Sequence, residues 1–242
     1  MPVATANGIE LYYELAGQGA AVVLIGGLGT DSTFLRPVTR NLAERFSVLS
    51  FDNRGAGRSD KPDIPYSIEM MATDAIELMD AVGVERAHVV GISMGASVAL
   101  AMALGYGERV TSLVLVSASA KKSMDMTISK PFRLIRLLGR ALPPIAEGKY
   151  PQPDYAFERQ RAASRTYDCS VRLGEIAAPT LIMHGRKDRT VPLELAEQLQ
   201  AGIPRSTLMT FAGGHAFFLF GERDRFLRET GEFCTAHNEG GG

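Results

Sequence analysis

Five consecutive residues, Gly91-Ile92-Ser93-Met94-Gly95, have the arrangement G-x-S-x-G. They follow an apolar run, Ala87 to Ile92, and precede a stretch of small and apolar residues, Ala96 to Leu104. That order reads as strand, tight turn and helix, with a serine at the apex. Such a turn strains the serine backbone and lifts its hydroxyl clear of the sheet. The flanking glycines remove the Cβ atoms that would clash where strand and helix approach. The pattern alone recurs by chance, but in this context it marks Ser93 as a nucleophile.

A serine hydroxyl attacks poorly at neutral pH unless a base takes its proton and a third group orients that base. Asp188 stands in Gly185-Arg186-Lys187-Asp188, just past the run Pro179 to His184. His215 stands in Gly213-Gly214-His215, just past the run Thr207 to Phe211. In a parallel sheet, residues beyond the carboxyl ends of the strands gather at one edge. Ser93, Asp188 and His215 should meet there. The other histidines compete poorly. His88 begins the nucleophile strand at the far end of the sheet, His184 lies within a strand where packing or a backbone hydrogen bond explains it, and His237 is in the tail. Acyl transfer also needs two backbone N–H groups aimed at the developing oxyanion. One is expected from Met94, at a helix start whose partial positive charge helps. The other is expected from Leu28, in the flexible loop Gly26-Gly27-Leu28-Gly29 after the run Ala21 to Ile25.

Holding these loops together requires a sheet. Val3 to Ala6 and Ile9 to Leu15 read as strands paired across Asn7-Gly8. Ala21 to Ile25, Phe46 to Phe51, Ala87 to Ile92, Ser112 to Val116, Pro179 to His184 and Thr207 to Phe211 read as the other six, the apolar ones buried on both faces. Helical periodicity covers Thr33 to Arg45, the stretch from the N-cap Ser67 to Gly83, Ala96 to Leu104, Pro192 to Ala201 and Glu222 to Phe233. This alternation predicts an α/β fold: a mostly parallel eight-stranded sheet with helices on both faces.

Residues 121–166 break the rhythm. Pro131, Pro143, Pro144, Pro151 and Pro153 punctuate them, no strand is evident, and two helices are expected, Lys130 to Leu142 and Asp154 to Arg165. The segment reads as a short helical lid inserted into a core formed by residues 1–120 and 167–237, with 238–242 a flexible tail. On the first lid helix, Leu134, Ile135, Leu138 and Leu142 form one stripe, and Arg133, Arg136 and Arg140 lie on another face. The apolar stripe is expected over Ser93, with Leu134, Ile135 and Leu138 lining the substrate pocket. Lys121 to Arg165 carry ten Lys and Arg against four Asp and Glu. That surplus reads first as a solvated basic outer face, with attraction of anionic substrates and binding to a membrane surface as alternatives.

Composition excludes several classes. The 242 residues are 45% hydrophobic and 22% charged with a net charge of −1, which suits a single globular domain and gives nucleic acid no purchase. The two cysteines, Cys169 and Cys234, read as reduced thiols of a cytoplasmic protein rather than a disulfide framework. Met1 to Gly8 lack the features of a secretion signal, and no stretch approaches the ~18 apolar residues of an integral membrane segment. No metal cluster, phosphate loop or dinucleotide fingerprint appears; Gly55-Ala56-Gly57 lacks the third glycine. No cofactor is expected. The oligomeric state is not legible.

Along nearly its whole length the chain resembles the α/β-hydrolase superfamily. Besides the Gly91–Gly95 pattern it has Asp52-Asn53-Arg54-Gly55-Ala56-Gly57-Arg58-Ser59, similar to that family's D-x-R-G-x-G-x-S loop, and Gly26-Gly27-Leu28-Gly29, where many relatives have His-Gly. The missing histidine leaves the oxyanion hole intact, since the donor is a backbone group. The resemblance implies a Ser93–His215–Asp188 triad, Leu28 and Met94 as oxyanion donors, and structural roles for Asp52, Arg54 and Ser59. Gly27-Leu28-Gly29-Thr30 and the Gly91–Gly95 pattern are similar to small carboxylesterases and to enol-lactonase-like and cofactor-free perhydrolase-like members. The expected activity is hydrolysis of a small-molecule ester or lactone through an acyl-enzyme. Lactone opening, C–C bond hydrolysis and perhydrolysis are alternatives on the same triad. A non-catalytic ligand-binding protein is a remoter one, since a pure receptor could lose the triad freely.

Overall fold

A computed structural model describes residues 2–121, 150 and 152–238. Eight strands form one sheet: β1 (Val3–Ala6), β2 (Ile9–Ala16), β3 (Ala21–Ile25), β4 (Ser47–Phe51), β5 (Ala87–Ile92), β6 (Val110–Val116), β7 (Thr180–Gly185) and β8 (Ser206–Phe211). Their order is β1-β2-β4-β3-β5-β6-β7-β8. The β1–β2 and β2–β4 pairs are antiparallel. All later neighbours run parallel. The order reverses between β3 and β5, where the chain leaves β3 for β4 on one side and returns on the other. Loops leaving β3 and β5 diverge there, and ligands of open α/β sheets bind at such a point.

The apolar runs explain why the sheet is covered on both faces. Side chains alternate along a strand. On β3, Val23 and Ile25 enter one buried cluster while Val22 and Leu24 enter the other. Ala87 and Val89 divide from Val90 and Ile92 on β5 in the same way. Helices α2 (Ile68–Ala81), α3 (Met94–Gly105) and α5 (Leu193–Gly202) cover the first face, whereas α1 (Ser32–Leu42) and α6 (Arg223–Ala236) cover the second.

The helix ends follow from local chemistry. Ser67 caps α2, its Oγ accepting from Met70 N at 3.0 Å, and Asp31 caps α1 through Thr33 N at 2.9 Å. The α1 periodicity extends to Arg45, but the helix stops at Leu42. The backbone tightens beyond it into i→i+3 bonds, Glu44 N to Asn41 O and Arg45 N to Leu42 O. At the other end α3 begins at Met94, two residues before the expected Ala96, because the turn contains Ser93 alone.

The glycine loop after β4 is tied down by its polar residues. Asp52 is fully buried and accepts from Ser32 N at 2.6 Å and Arg58 N at 2.8 Å. The Ser59 hydroxyl donates to Asp52 O and accepts from Tyr12 N at 2.9 Å. Arg54 and Asp74 form a bidentate pair with both side chains 2% exposed; the Nε–Oδ2 bond is 2.5 Å. Asn7 Nδ2 adds a third donor to Asp74.

Between β6 and β7 the chain leaves the sheet. The expected helix over Lys130 to Leu142, with Leu134, Ile135, Leu138, Leu142 and the three arginines, lies outside the described residues. The second helix, α4 (Asp154–Thr166), is present. At the C-terminus Asn238 is held by its side chain, whose Oδ1 lies 2.9 Å from His88 Nε2. The rest of the expected tail lies outside the described residues. Cys169 and Cys234 are free and buried. Among the described residues no helix is long and apolar enough to cross a membrane.

The Arg54–Asp74 pair gives this architecture a test. Asp74→Ala leaves a buried guanidinium without its counter-charge, which costs about 3–5 kcal/mol. The urea midpoint should fall accordingly, with the m-value unchanged.

Candidate active site

Ser93 sits between β5 and α3 with φ 55° and ψ −112°, outside the regions that ordinary residues occupy. The neighbours hold it there. Ser93 N donates to Val116 O at 2.9 Å, and Ser93 O accepts from Ala96 N at 3.0 Å. A Cβ at position 91 would fall on the Gly95 carbonyl and Ala96 Cα, and one at position 95 on the Ile25 and Gly26 carbonyls. Glycine is therefore required at both positions by close backbone approach.

The loops after β7 and β8 bring the two partners. His215 Nε2 lies 3.0 Å from Ser93 Oγ, and His215 Nδ1 lies 2.7 Å from Asp188 Oδ2. The Asp188 side chain is fully buried, and its other oxygen accepts from Thr190 N at 2.8 Å and Val191 N at 2.9 Å. Burial pushes the Asp188 carboxyl up, but the His215 hydrogen bond and charge and these two amides outweigh it and hold it below its ordinary value. An ionised carboxylate only accepts, so the proton of a neutral His215 belongs on Nδ1. Nε2 is left with a lone pair facing the serine hydroxyl.

Two further residues steady this chain of bonds: His184, for which the sequence predicts packing or a backbone hydrogen bond, and Ser117, which carries no sequence signal. His184, fully buried on β7, has Nε2 2.9 Å from Val191 O and 3.7 Å from Asp188 Oδ2. Burial pushes its imidazole down, which keeps the ring neutral and Nε2 a donor to the Val191 carbonyl. The bond braces the turn that carries Asp188. Ser117, just past β6, is buried at φ 50°, and its hydroxyl donates to His215 O at 2.8 Å. His88, by contrast, lies away from the site, bonded to Ser112 Oγ at 2.8 Å and to Asn238.

The loop after β3 passes beside the nucleophile: a Cβ at Gly27 would lie 3.5 Å from Ser93 Cβ. Its carbonyls are occupied. Asn53 Nδ2 donates to Gly26 O at 3.2 Å, and Thr30 Oγ1 donates to Gly27 O at 2.9 Å. In a trans peptide the C=O and the following N–H point oppositely. Holding Gly27 O on the Thr30 side thus turns the Leu28 N–H to the other side. Neither the Leu28 nor the Met94 N–H meets an acceptor among the described residues. Met94 opens α3, where the first amides have no partner within the helix. Ser93, His215, Asp188, Leu28 and Met94 are therefore all at the carboxyl edge of the sheet. Leu134, Ile135 and Leu138 lie outside the described residues. Among those described, no group of three His, Cys, Asp or Glu is placed to hold a metal ion.

Comparison with known proteins bears on the fold and the family. RutD of Azorhizobium caulinodans, a protein named for carbamate hydrolysis, is 32% identical over 90% of this chain and 92% of its own. An esterase from Exiguobacterium antarcticum superposes with a TM-score of 0.82 at 27% identity, covering 96% of this chain and 98% of the other. The meta-cleavage product hydrolase CumD of Pseudomonas fluorescens IP01, crystallised as an S103A mutant with acetates, gives 0.81 at 27% identity over 98% of each chain. The sequence profile of the α/β hydrolase fold matches residues 20–144 and 145–222. This chain belongs to the α/β hydrolase family.

Proposed function

We propose that this protein is a serine hydrolase that cleaves carboxylic esters through an acyl-enzyme. The observation that carries the reading is the continuous chain of hydrogen bonds from Ser93 Oγ through His215 to Asp188, set beside two unengaged backbone amides. His215 Nε2 takes the Ser93 proton as Oγ attacks the ester carbonyl. Asp188 stabilises the imidazolium that forms without taking its proton. The Leu28 and Met94 amides receive the oxyanion, and the N-terminus of α3 adds its dipole. His215 then protonates the leaving alcohol. A water activated by the same nitrogen releases the acid. The segment 121–166 serves as a lid that bounds the acyl pocket.

A second reading rests on the kinship with RutD: the substrate carbonyl could belong to a carbamate. The same attack applies, with a nitrogen in place of carbon on the acyl side. A third rests on the likeness to CumD, a meta-cleavage product hydrolase: the bond cleaved could be C–C. Turnover of p-nitrophenyl acetate, p-nitrophenyl butyrate, a γ-lactone, a p-nitrophenyl carbamate and a β-diketone separates the readings. We expect the highest kcat/KM on an ester; a carbamate, lactone or β-diketone preferred tenfold or more, about 1.4 kcal/mol in transition-state binding, would replace this assignment.

A fluorophosphonate should label the wild type at Ser93 and leave Ser93→Ala unlabelled and inactive. Labelling that persists in the variant would move the nucleophile elsewhere.

Asp188→Asn should keep the fold and lower kcat by about 10³-fold or more, because the amide no longer fixes the imidazole tautomer. The acid dependence of stability has a definite sign. A carboxyl held below its unfolded value adds stability at neutral pH and loses it as pH falls through the folded value. The stability gap between wild type and Asp188→Asn, measured by urea, should therefore narrow between about pH 5 and pH 2. A gap that widens toward acid would contradict the ionised, buried carboxylate.

A further inference from the structure

We infer that Gln160 is a positioning residue for the oxyanion hole: from helix α4 it fixes the peptide that follows Leu28. The inference rests on the assignment of the Leu28 amide as an oxyanion donor.

Gln160 is the one residue of α4 with both ends of a buried side chain bonded to two different loops among the described residues. It is fully buried, although glutamine is a mostly exposed residue type. Its Oε1 accepts from Gly29 N at 3.1 Å, and its Nε2 donates to Arg54 O at 2.8 Å. The amide cannot be turned over, because a flip would set oxygen against the Arg54 carbonyl and NH₂ against the Gly29 N–H. Arg54 therefore orients the amide, and the amide orients Gly29. Arg54 is itself anchored by the buried pair with Asp74.

The consequence falls on Leu28. Two peptide planes flank its Cα. The first contains Gly27 O and Leu28 N–H and is held by Thr30. The second contains Leu28 C=O and Gly29 N–H and is held by Gln160. Gly29 has φ 71°, and a Cβ there would stand 3.0 Å from the Phe157 ring, so α4 also packs on the loop from the side. With both planes held, the Leu28 N–H has one direction. With the second released, the glycine-rich loop can rotate and swing the donor off its axis. An oxyanion donor acts only where the charge develops, so this loss falls on the transition state rather than on ground-state binding.

The test uses the full-length protein, p-nitrophenyl acetate as substrate and phenylboronic acid as a mimic of the tetrahedral adduct on Ser93. Fluorophosphonate titration of Ser93 normalises kcat to competent sites. A wild type that fails to label refutes the nucleophile assignment itself, separately from the role of Gln160. Gln160→Met removes both bonds at nearly constant volume. We expect kcat to fall about 10- to 100-fold, phenylboronic acid to bind more weakly by a similar factor, and KM to move less than about threefold. Glu158→Ala, exposed on the same helix, should change none of these. Unchanged kcat and boronate affinity in Gln160→Met would overturn the inference. So would a fall in kcat without a matching loss of boronate affinity, which would mean that Gln160 supports the fold and not the donor. Should Gln160→Met fail to fold, Gln160→Asn carries the same test, since it keeps a polar amide but is one methylene too short to hold Gly29 N and Arg54 O together.

Discussion

The backbone approach between the turn at Ser93 and the end of β3 governs the rest of the site. A serine at φ 55° costs on the order of 1–3 kcal/mol relative to a relaxed backbone, and only its surroundings maintain it. Those surroundings are one backbone hydrogen bond to Val116 on β6, another from Ala96 in α3, and the absence of side chains at 91 and 95. Because Gly95 sits against the Ile25 and Gly26 carbonyls, the start of α3 is pressed alongside the loop that leaves β3. One steric fact thus places the nucleophile and both candidate oxyanion donors within one small volume. A methyl group at either glycine would separate them before it affected any triad contact.

The base and the acid arrive by a different route. Asp188 and His215 are separated from Ser93 by long stretches of chain, and strand order alone brings them to the same edge. Adjacency in the sheet is not fine enough to aim an imidazole. The aim comes from smaller bonds: Thr190 and Val191 amides on Asp188, His184 on the Val191 carbonyl, and the Ser117 hydroxyl on the carbonyl of His215. Burial makes these bonds matter, since an unmatched group there forfeits solvation that nothing returns.

The same distinction explains what could be read from the chain. The strands β3 and β5 coincide with the runs Ala21–Ile25 and Ala87–Ile92, because strands buried on both faces read as near-continuous apolar runs, broken here only by the buried His88. The turn at Ser93 was legible because close approach demands glycine at fixed spacing. The roles of His184, Ser117, Thr30 and Gln160 were not legible. Each depends on which loop happens to face it across the sheet edge, and neither residue type nor local period encodes that. His184 is the clearest case: its position inside a strand pointed to a backbone bond, but only the β7 geometry shows that the bond braces the acid turn. Helix limits were blurred for a simpler reason. The apolar stripe of α1 continues past Leu42 while the backbone has already tightened.

On the proposed mechanism, the choice among acyl groups is a matter of the carbonyl and its surroundings rather than of the triad. Attack, oxyanion stabilisation and proton return are the same for an ester, a lactone or a carbamate; what differs is the electrophilicity of the carbonyl and the shape beside it. A carbamate carbonyl is deactivated by nitrogen donation, so its hydrolysis leans harder on oxyanion stabilisation than that of an alkyl ester. In this chain the loop after β3 and helix α4 are not independent, because α4 bonds Gly29 through Gln160 and packs on it through Phe157. A change in α4 would therefore also be felt at Gly29, next to the proposed Leu28 donor. On the proposed reading, in which α4 belongs to the segment that bounds the acyl pocket, substrate choice and transition-state stabilisation are coupled through one helix, and a substitution there for a new acyl group would have to preserve the bond at Gly29 or find another means of holding it.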